Sequence, residues 1–331
     1  MKFGPVPVAE AEGAILAHSL RLPGGRLRKG VRLDASHVQA LVAAGLDDVV
    51  VARLDPTDLH EDEAARALAA ALGEGRAFLQ QSEAFTGRVN LVAERPGVVC
   101  IEAEAIHAAN AIDPSITIAT VPPHHQIHRG GMVATVKIIP YGVDGAAVAR
   151  ACEAARGAIS LAPPVHATAS LIVSEIDGTT GPRGVEAIAN RLTGLEVELV
   201  ETLTCRHEDR ALAERLLAAT GDIILIITGS ATSDACDTAP AALVAAGGVL
   251  ERFGMPVDPG NLLFLGRLGD KPVVGLPGSA RSPVLHGADW VLSRVACGIP
   301  VGDAEIARMG VGGLLKEIPT RPQPRRGRSV K

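Results

Sequence analysis

The sequence predicts an α/β protein: a three-layer, doubly wound, mostly parallel sheet over residues 165–300, with a smaller α+β region ahead of it. Three observations carry this expectation. From Thr168 onward, short apolar runs alternate with helical stretches, the pattern of parallel strands joined by crossover helices. The run Asp222-Ile223-Ile224-Leu225-Ile226-Ile227 is continuously apolar, as a strand covered on both faces requires. Three glycine-punctuated turns stand where buried strands hand over to helices: Ile227-Thr228-Gly229-Ser230-Ala231-Thr232-Ser233, Pro256-Val257-Asp258-Pro259-Gly260-Asn261 and Gly275-Leu276-Pro277-Gly278-Ser279-Ala280-Arg281-Ser282-Pro283.

In chain order, residues 1–88 read as an α+β region. Glycine turns punctuate its start, a helix over 35–44 closes on Gly45, a strand follows at 48–52, and an alanine-rich helix spans 59–72. Residues 89–160 read as a small mixed region. It has strands at 98–101, 116–121 and 132–140, an irregular loop over 122–131, and a connecting helix from Asp144 to about Gly157. Pro163-Pro164 marks a boundary. The 165–300 domain then offers strands at 170–174, 196–200, 222–227 and 272–275. Helices are expected through about Leu192, over 209–219, from Asp237 to Gly247, and over 283–297. Asp237-Thr238-Ala239-Pro240 is a good helix start, a capping carboxylate with an early proline. Residues 301–331 form a C-terminal extension ending in a basic, proline-rich tail.

Composition excludes several functions. With one Trp, one Tyr and five Phe, the chain has little for base stacking, and a net charge of −5 is unsuited to a nucleic-acid surface. No apolar run reaches the roughly 20 residues of a membrane span, and the first residues lack the apolar stretch of a signal peptide. The five cysteines form no Cys-x-x-Cys pair, so free thiols in a reducing cytoplasm are expected. His124-His125-Gln126-Ile127-His128 has no carboxylate or cysteine at ligand spacing, so an exposed polar loop is expected and no metal site.

In an open parallel sheet the ligand sits beyond the carboxyl ends of the strands. The candidate binding residues are therefore Thr179, Gly181, Thr228, Gly229, Ser230, Ser233, Asp237, Pro259, Gly260, Pro277, Gly278, Ser279, Arg281 and Ser282. Glycine admits a ligand close to the backbone, hydroxyls donate, and Arg281, like Arg183, suits a phosphate. Asp177, Asp234 and Asp237 are weak catalytic candidates, and Glu175 with Asp177 is either an acid/base pair or ordinary helix-entry chemistry.

The order and spacing of these turns over 168–300 resemble the molybdopterin-binding domain family (MoeA/MogA-like). The residues that carry the resemblance are Asp222 to Gly229 followed by Asp237, then Asp258-Pro259-Gly260, then Gly275-Leu276-Pro277-Gly278. Lys29-Gly30, with Leu33 and the helix ending at Gly45, is similar to a segment preceding the same domain in the molybdenumtransferase branch. The stretch 134–140 and the end from Gly312-Gly313 to Pro322 are similar to the module found fused to molybdenum-cofactor nucleotidyltransferases. The resemblance implies a ligand, molybdopterin or molybdenum cofactor, held by a pterin phosphate, and a homo-oligomer. It also implies a protein partner, either such a nucleotidyltransferase or a molybdoenzyme. One departure matters: Asp258 and Asn261 stand where the molybdenumtransferase branch has lysines, and a carboxylate there repels molybdate and a nucleotide phosphate alike, which favours pterin binding over catalysis. Three roles follow. A carrier or maturation factor of cofactor biosynthesis comes first. An active molybdenumtransferase or adenylyltransferase, which would need Mg²⁺, comes second, and an interaction module third.

Overall fold

The computed structural model describes residues 1–176 and 182–315. The chain divides into two compact units. The first comprises Met1–Arg95, Val99–Pro123 and Arg129–Leu161; the second comprises Pro96–Val98, His124–His128 and the chain from Ala162 on.

In the first unit, strands Lys2–Pro7 and Ile15–Leu16 flank Asp48–Arg53, each antiparallel to it. Helix Ala35–Ala43 starts at Asp34, whose carboxylate accepts from His37 N at 2.9 Å and so satisfies one of the amides a helix start leaves open. Val8, Leu16, Leu33, Leu41, Val49 and Val51 form the core here. Helix Glu61–Leu72 packs on a second antiparallel sheet, ordered Ile116–Thr120, Met132–Ile138, Arg88–Ala93, Leu79–Gln81. Its buried Ala64, Ala65, Leu68, Ala69 and Leu72 recur at helical spacing. The expected loop over 122–131 contains a short strand, His125–Ile127, because Ile127 is buried between polar neighbours.

The second unit holds β1 (Thr168–Glu175), α1 (Pro182–Thr193), β2 (Glu198–Arg206), α2 (Asp209–Ala218), β3 (Ile223–Ile227), α3 (Thr238–Ala245), β4 (Val249–Phe253), β5 (Phe264–Leu268), β6 (Lys271–Leu276) and α4 (Gly287–Ala296). They build a six-stranded sheet in the order β2-β1-β3-β6-β5-β4. The first four strands are mutually parallel, and β5 alone runs against its neighbours β6 and β4. The sheet is therefore mixed and mostly parallel.

Strand periodicity sorts the apolar run onto two faces. Leu225 and Ile227 of β3 join Leu171, Val173, Val274 and Leu276, covered by Ile188 and Leu192 of α1 and Val291, Leu292 and Val295 of α4. Ile224 and Ile226 join Ile172 and Val273, covered by Leu212 and Leu216 of α2 and Ala239, Ala242 and Leu243 of α3. Each fully buried Leu or Ile contributes about 1.5–3 kcal/mol.

Several boundaries differ from the sequence expectation. The pair β4 and β5 is an addition, and β2 starts at Glu198, after a turn in which Glu196 takes φ 55°, and runs on to Arg206. Helix α4 begins at Gly287 rather than Pro283; a 3₁₀ turn over Gly278–Arg281 precedes it.

Carboxylates tie down the N-terminal ends of the parallel strands. Glu201 accepts from Ser170 Oγ at 2.6 Å, Thr220 N at 2.7 Å and Thr220 Oγ1 at 2.8 Å. Asp222 accepts from Ala167 N at 3.0 Å and Thr168 N at 2.9 Å. Those groups are occupied with holding the sheet. The open chemistry lies at the opposite ends.

Candidate functional site

Beyond the carboxyl ends of β3 and β6, three loops surround a cavity of about 510 Å³, lined by Thr228, Gly229, Ser230, Ala231, Asp258, Pro259, Gly260, Asn261, Leu262, Pro277, Gly278, Ser279 and Arg281. All three glycine turns read from the sequence meet here. Of the candidate residues, Thr228, Gly229, Ser230, Pro259, Gly260, Pro277, Gly278, Ser279 and Arg281 line the cavity, whereas Ser233, Asp234, Asp237 and Ser282 do not. Asp177, Thr179 and Gly181 lie outside the described residues, as do the side chain of Arg183 and the tail.

In the first loop, Gly229 runs against the end of β1: a Cβ there would stand 3.0 Å from Ile176 N and Ser174 O. Its amide donates to the buried Ser174 Oγ at 3.4 Å, and that oxygen lies 2.9 Å from His207 Nδ1. Thr228 Oγ1 donates to Ser230 O at 2.5 Å, closing the turn on itself. Asp237 caps α3. Its carboxylate accepts from Ser233 N at 2.9 Å and Thr238 N at 2.7 Å, and these two amides hold its pKa below the usual carboxylate value. Asp234 likewise accepts from Cys236 N at 2.8 Å. Both carboxylates serve the loop's own backbone.

The second loop crosses a cis Asp258–Pro259 peptide. Gly260 has φ 148°, and a Cβ on it would meet Gly287 Cα and Val257 O at 3.1 Å, so glycine is required on both counts. Asp258 is exposed on the cavity wall, and its backbone pairs with a distant segment. Its N–H donates to Gly313 O, and its carbonyl accepts from Leu315 N, both at 2.9 Å. Gly313 packs so closely that a Cβ would lie 2.6 Å from Pro256 O.

The third loop carries the cation. Arg281 Nη2 donates to Thr228 O at 2.8 Å and ties the third loop to the first. Its Nε is buried with no hydrogen-bond partner among the described residues. A buried guanidinium N–H without an acceptor is costly, of the order of 1–3 kcal/mol. Gly278 has nothing within 4 Å of where a Cβ would be, so a side chain there would occupy open space.

Two residues of this site were missed in the sequence. Arg191 of α1 spends every guanidinium N–H: Nε on Asp289, Nη1 on Ala187 O and Ala280 O, and Nη2 on Ser282 O and Val284 O. It clamps the third loop and has nothing left for a ligand. His286, only 1% exposed, caps α4 and lies behind the cavity, its Nε2 2.8 Å from Ser279 Oγ. Burial pushes its pKa down, against the raising effect of Asp289. Neither carries a sequence signal: the reciprocal cap that His286 makes with Asp289 lies outside the Ser/Thr-x-x-Glu/Gln pattern that marks a capping box.

Among the described residues, no group of three or more His, Cys, Asp or Glu is placed to hold a metal ion, and no helix is long and apolar enough to cross a membrane.

Residues 5–53 match the model of a family described as a domain of unknown function, DUF8806. No curated protein matches the chain. Among solved structures, the chain is similar to the protein CinA, of unknown function, from Thermoplasma acidophilum, with TM-score 0.31 and 14% identity over 35% of this chain and 90% of that one. It is similar to a molybdopterin biosynthesis MoeA protein from Pyrococcus horikosii, with TM-score 0.31 and 14% identity over 89% of this chain and 75% of that one. It is also similar to a molybdenum cofactor biosynthesis protein from Pyrococcus furiosus, with TM-score 0.25 and 11% identity over 91% of this chain and 66% of that one. Similarities at these TM-scores carry no weight for function, which rests on the chain's own residues.

Proposed function

We propose that the second unit binds a pterin phosphate, molybdopterin or molybdenum cofactor, and acts as a carrier or maturation factor in molybdenum cofactor biosynthesis. The observation that supports it most is the convergence of all three family-like turns on one cavity of about 510 Å³, lined by Arg281, whose buried Nε has no hydrogen-bond partner among the described residues. A cavity of that size falls in the range of small-molecule sites. The phosphate takes Arg281 and Ser279, and the pterin ring lies over Gly229 and Ser230. A doubly wound arrangement of the sheet, with α1 and α4 on one face and α2 and α3 on the other, belongs to the same reading.

Binding is favoured over catalysis by where the carboxylates stand. Asp234 and Asp237 accept from the loop's own amides and lie off the cavity, and Asp258, the carboxylate that lines it among the described residues, opposes a second anion such as molybdate beside the bound phosphate. Mg²⁺-assisted transfer would need carboxylates free to hold the ion.

Acid–iodine oxidation of the protein as purified should release pterin fluorescence, and added molybdopterin should bind saturably. Gly278→Trp, which fills open space at the cavity wall, should abolish that binding while the fold persists. No saturable binding by the unaltered chain, or equal binding by the Trp variant, defeats the proposal.

A further inference from the structure

The proton on His286 can be placed from its two contacts. Nδ1 accepts the backbone N–H of Ala288 at 3.0 Å, so Nδ1 carries no proton. In a neutral imidazole the proton is then on Nε2, which stands 2.8 Å from Ser279 Oγ. Nε2–H therefore donates and Ser279 Oγ accepts. The opposite arrangement, with Ser279 donating to a basic Nε2, would put a proton on Nδ1 and set two N–H groups head to head. Ser279 and His286 are thus no nucleophile–base pair, although their separation alone invites that assignment.

With one lone pair taken from behind, the Ser279 hydroxyl keeps its own proton for a partner in front. Ser279 is exposed and lines the cavity, as does Arg281, whose buried Nε has no hydrogen-bond partner among the described residues. We propose that His286 is a positioning residue: it fixes the Ser279 hydroxyl as a donor aimed into the cavity, so that this corner takes an acceptor-only oxyanion such as a phosphate monoester. The groups whose charges act on the ring are Asp289, Arg191 and Asp258, and burial of the imidazole favours its neutral form. The inference rests on the anion-binding part of the function proposed above and is independent of the pterin.

The test uses the full chain, ¹⁵N-labelled, with inorganic phosphate as the probe. Long-range ¹H–¹⁵N spectra at neutral pH should show His286 as the Nε2–H tautomer, with and without phosphate. Ser279→Ala and His286→Leu should each weaken phosphate binding about tenfold, the size of a lost hydrogen bond to a charged group. His286→Gln, whose side-chain amide can still donate, should restore most of it. An Nδ1–H tautomer, an imidazolium, no measurable phosphate binding, or a folded His286→Leu that binds phosphate like the unaltered chain each overturns the inference. If His286→Leu does not fold, the tautomer of the unaltered chain decides alone. Phosphate binding that follows this pattern without retention of a pterin phosphate would sink the carrier function and leave this inference standing. Pterin phosphate binding indifferent to Ser279→Ala would do the reverse.

Discussion

Asp237 shows how a residue type can point to a site and yet serve the backbone. A carboxylate after a glycine turn suits a heterocycle's N–H edge, but this one sits at the N-cap of α3 and accepts from Ser233 N and Thr238 N. Asp237→Ala should cost about 1 kcal/mol at pH 7 in denaturant unfolding. Asp237→Asn keeps the cap and removes the charge, so it isolates the titration. Because the folded pKa lies below the ordinary aspartate value, the charged form's contribution is present above that value and lost as pH falls through the folded pKa. The stability gap between the unaltered chain and Asp237→Asn should therefore close below about pH 4. A gap constant from pH 7 to pH 3 would contradict this. The cap itself was legible in Asp237-Thr238-Ala239-Pro240. The role of His286 was not, since histidine is outside the usual set of capping residues. Arg191 was equally silent: three of its five acceptors come from residues 280–284, which only tertiary folding brings to α1.

At the scale of elements, the inner strands were readable and the outer pair was not. β3 is apolar at every position because helices cover both its faces, and no other element type fits a run so short and uniform. β4 carries Glu251 and Arg252 among its five residues, and at the sheet's edge none of them is fully buried, so no apolar run marks it as a strand. What commits β5 to the sheet is a contact between strands. Phe264 stands opposite Gly275 of β6 in register, and its ring fills the space where a Cβ would lie, 1.9 Å from Cε1. Gly275→Ala should therefore destabilise the chain by about 1–3 kcal/mol through overpacking. Adding Phe264→Leu should recover part of the loss, a non-additivity that equilibrium unfolding of the two single variants and the double can measure. Strictly additive effects would mean the ring is not the obstacle.

For the molecule as a whole, the cysteines provide a readout of each unit separately. None is in a disulfide; Cys236 is exposed, Cys152 of the first unit is half-buried, and Cys297 is in the core of the second. Burial also pushes the Cys152 thiol's pKa up, which lowers its thiolate fraction at neutral pH. Native thiol titration should modify Cys236 first and Cys152 slowly. Cys297 should react only when denaturant opens the second unit. Rapid native reaction of Cys297, mapped by peptide mass spectrometry, would show that the core around α4 opens far more readily than its burial implies.

The pairing of Asp258 with Gly313 and Leu315 has a consequence for how the cavity can be disturbed. One wall of the pocket is latched by a segment that enters late in the sequence, well after the last residue that lines it. A proteolytic nick between Met309 and Leu315 would cut no cavity residue, yet it would release the latch from the Pro259-Gly260 turn. The pocket is in that sense finished last, by a stretch of chain that is not among the residues lining it.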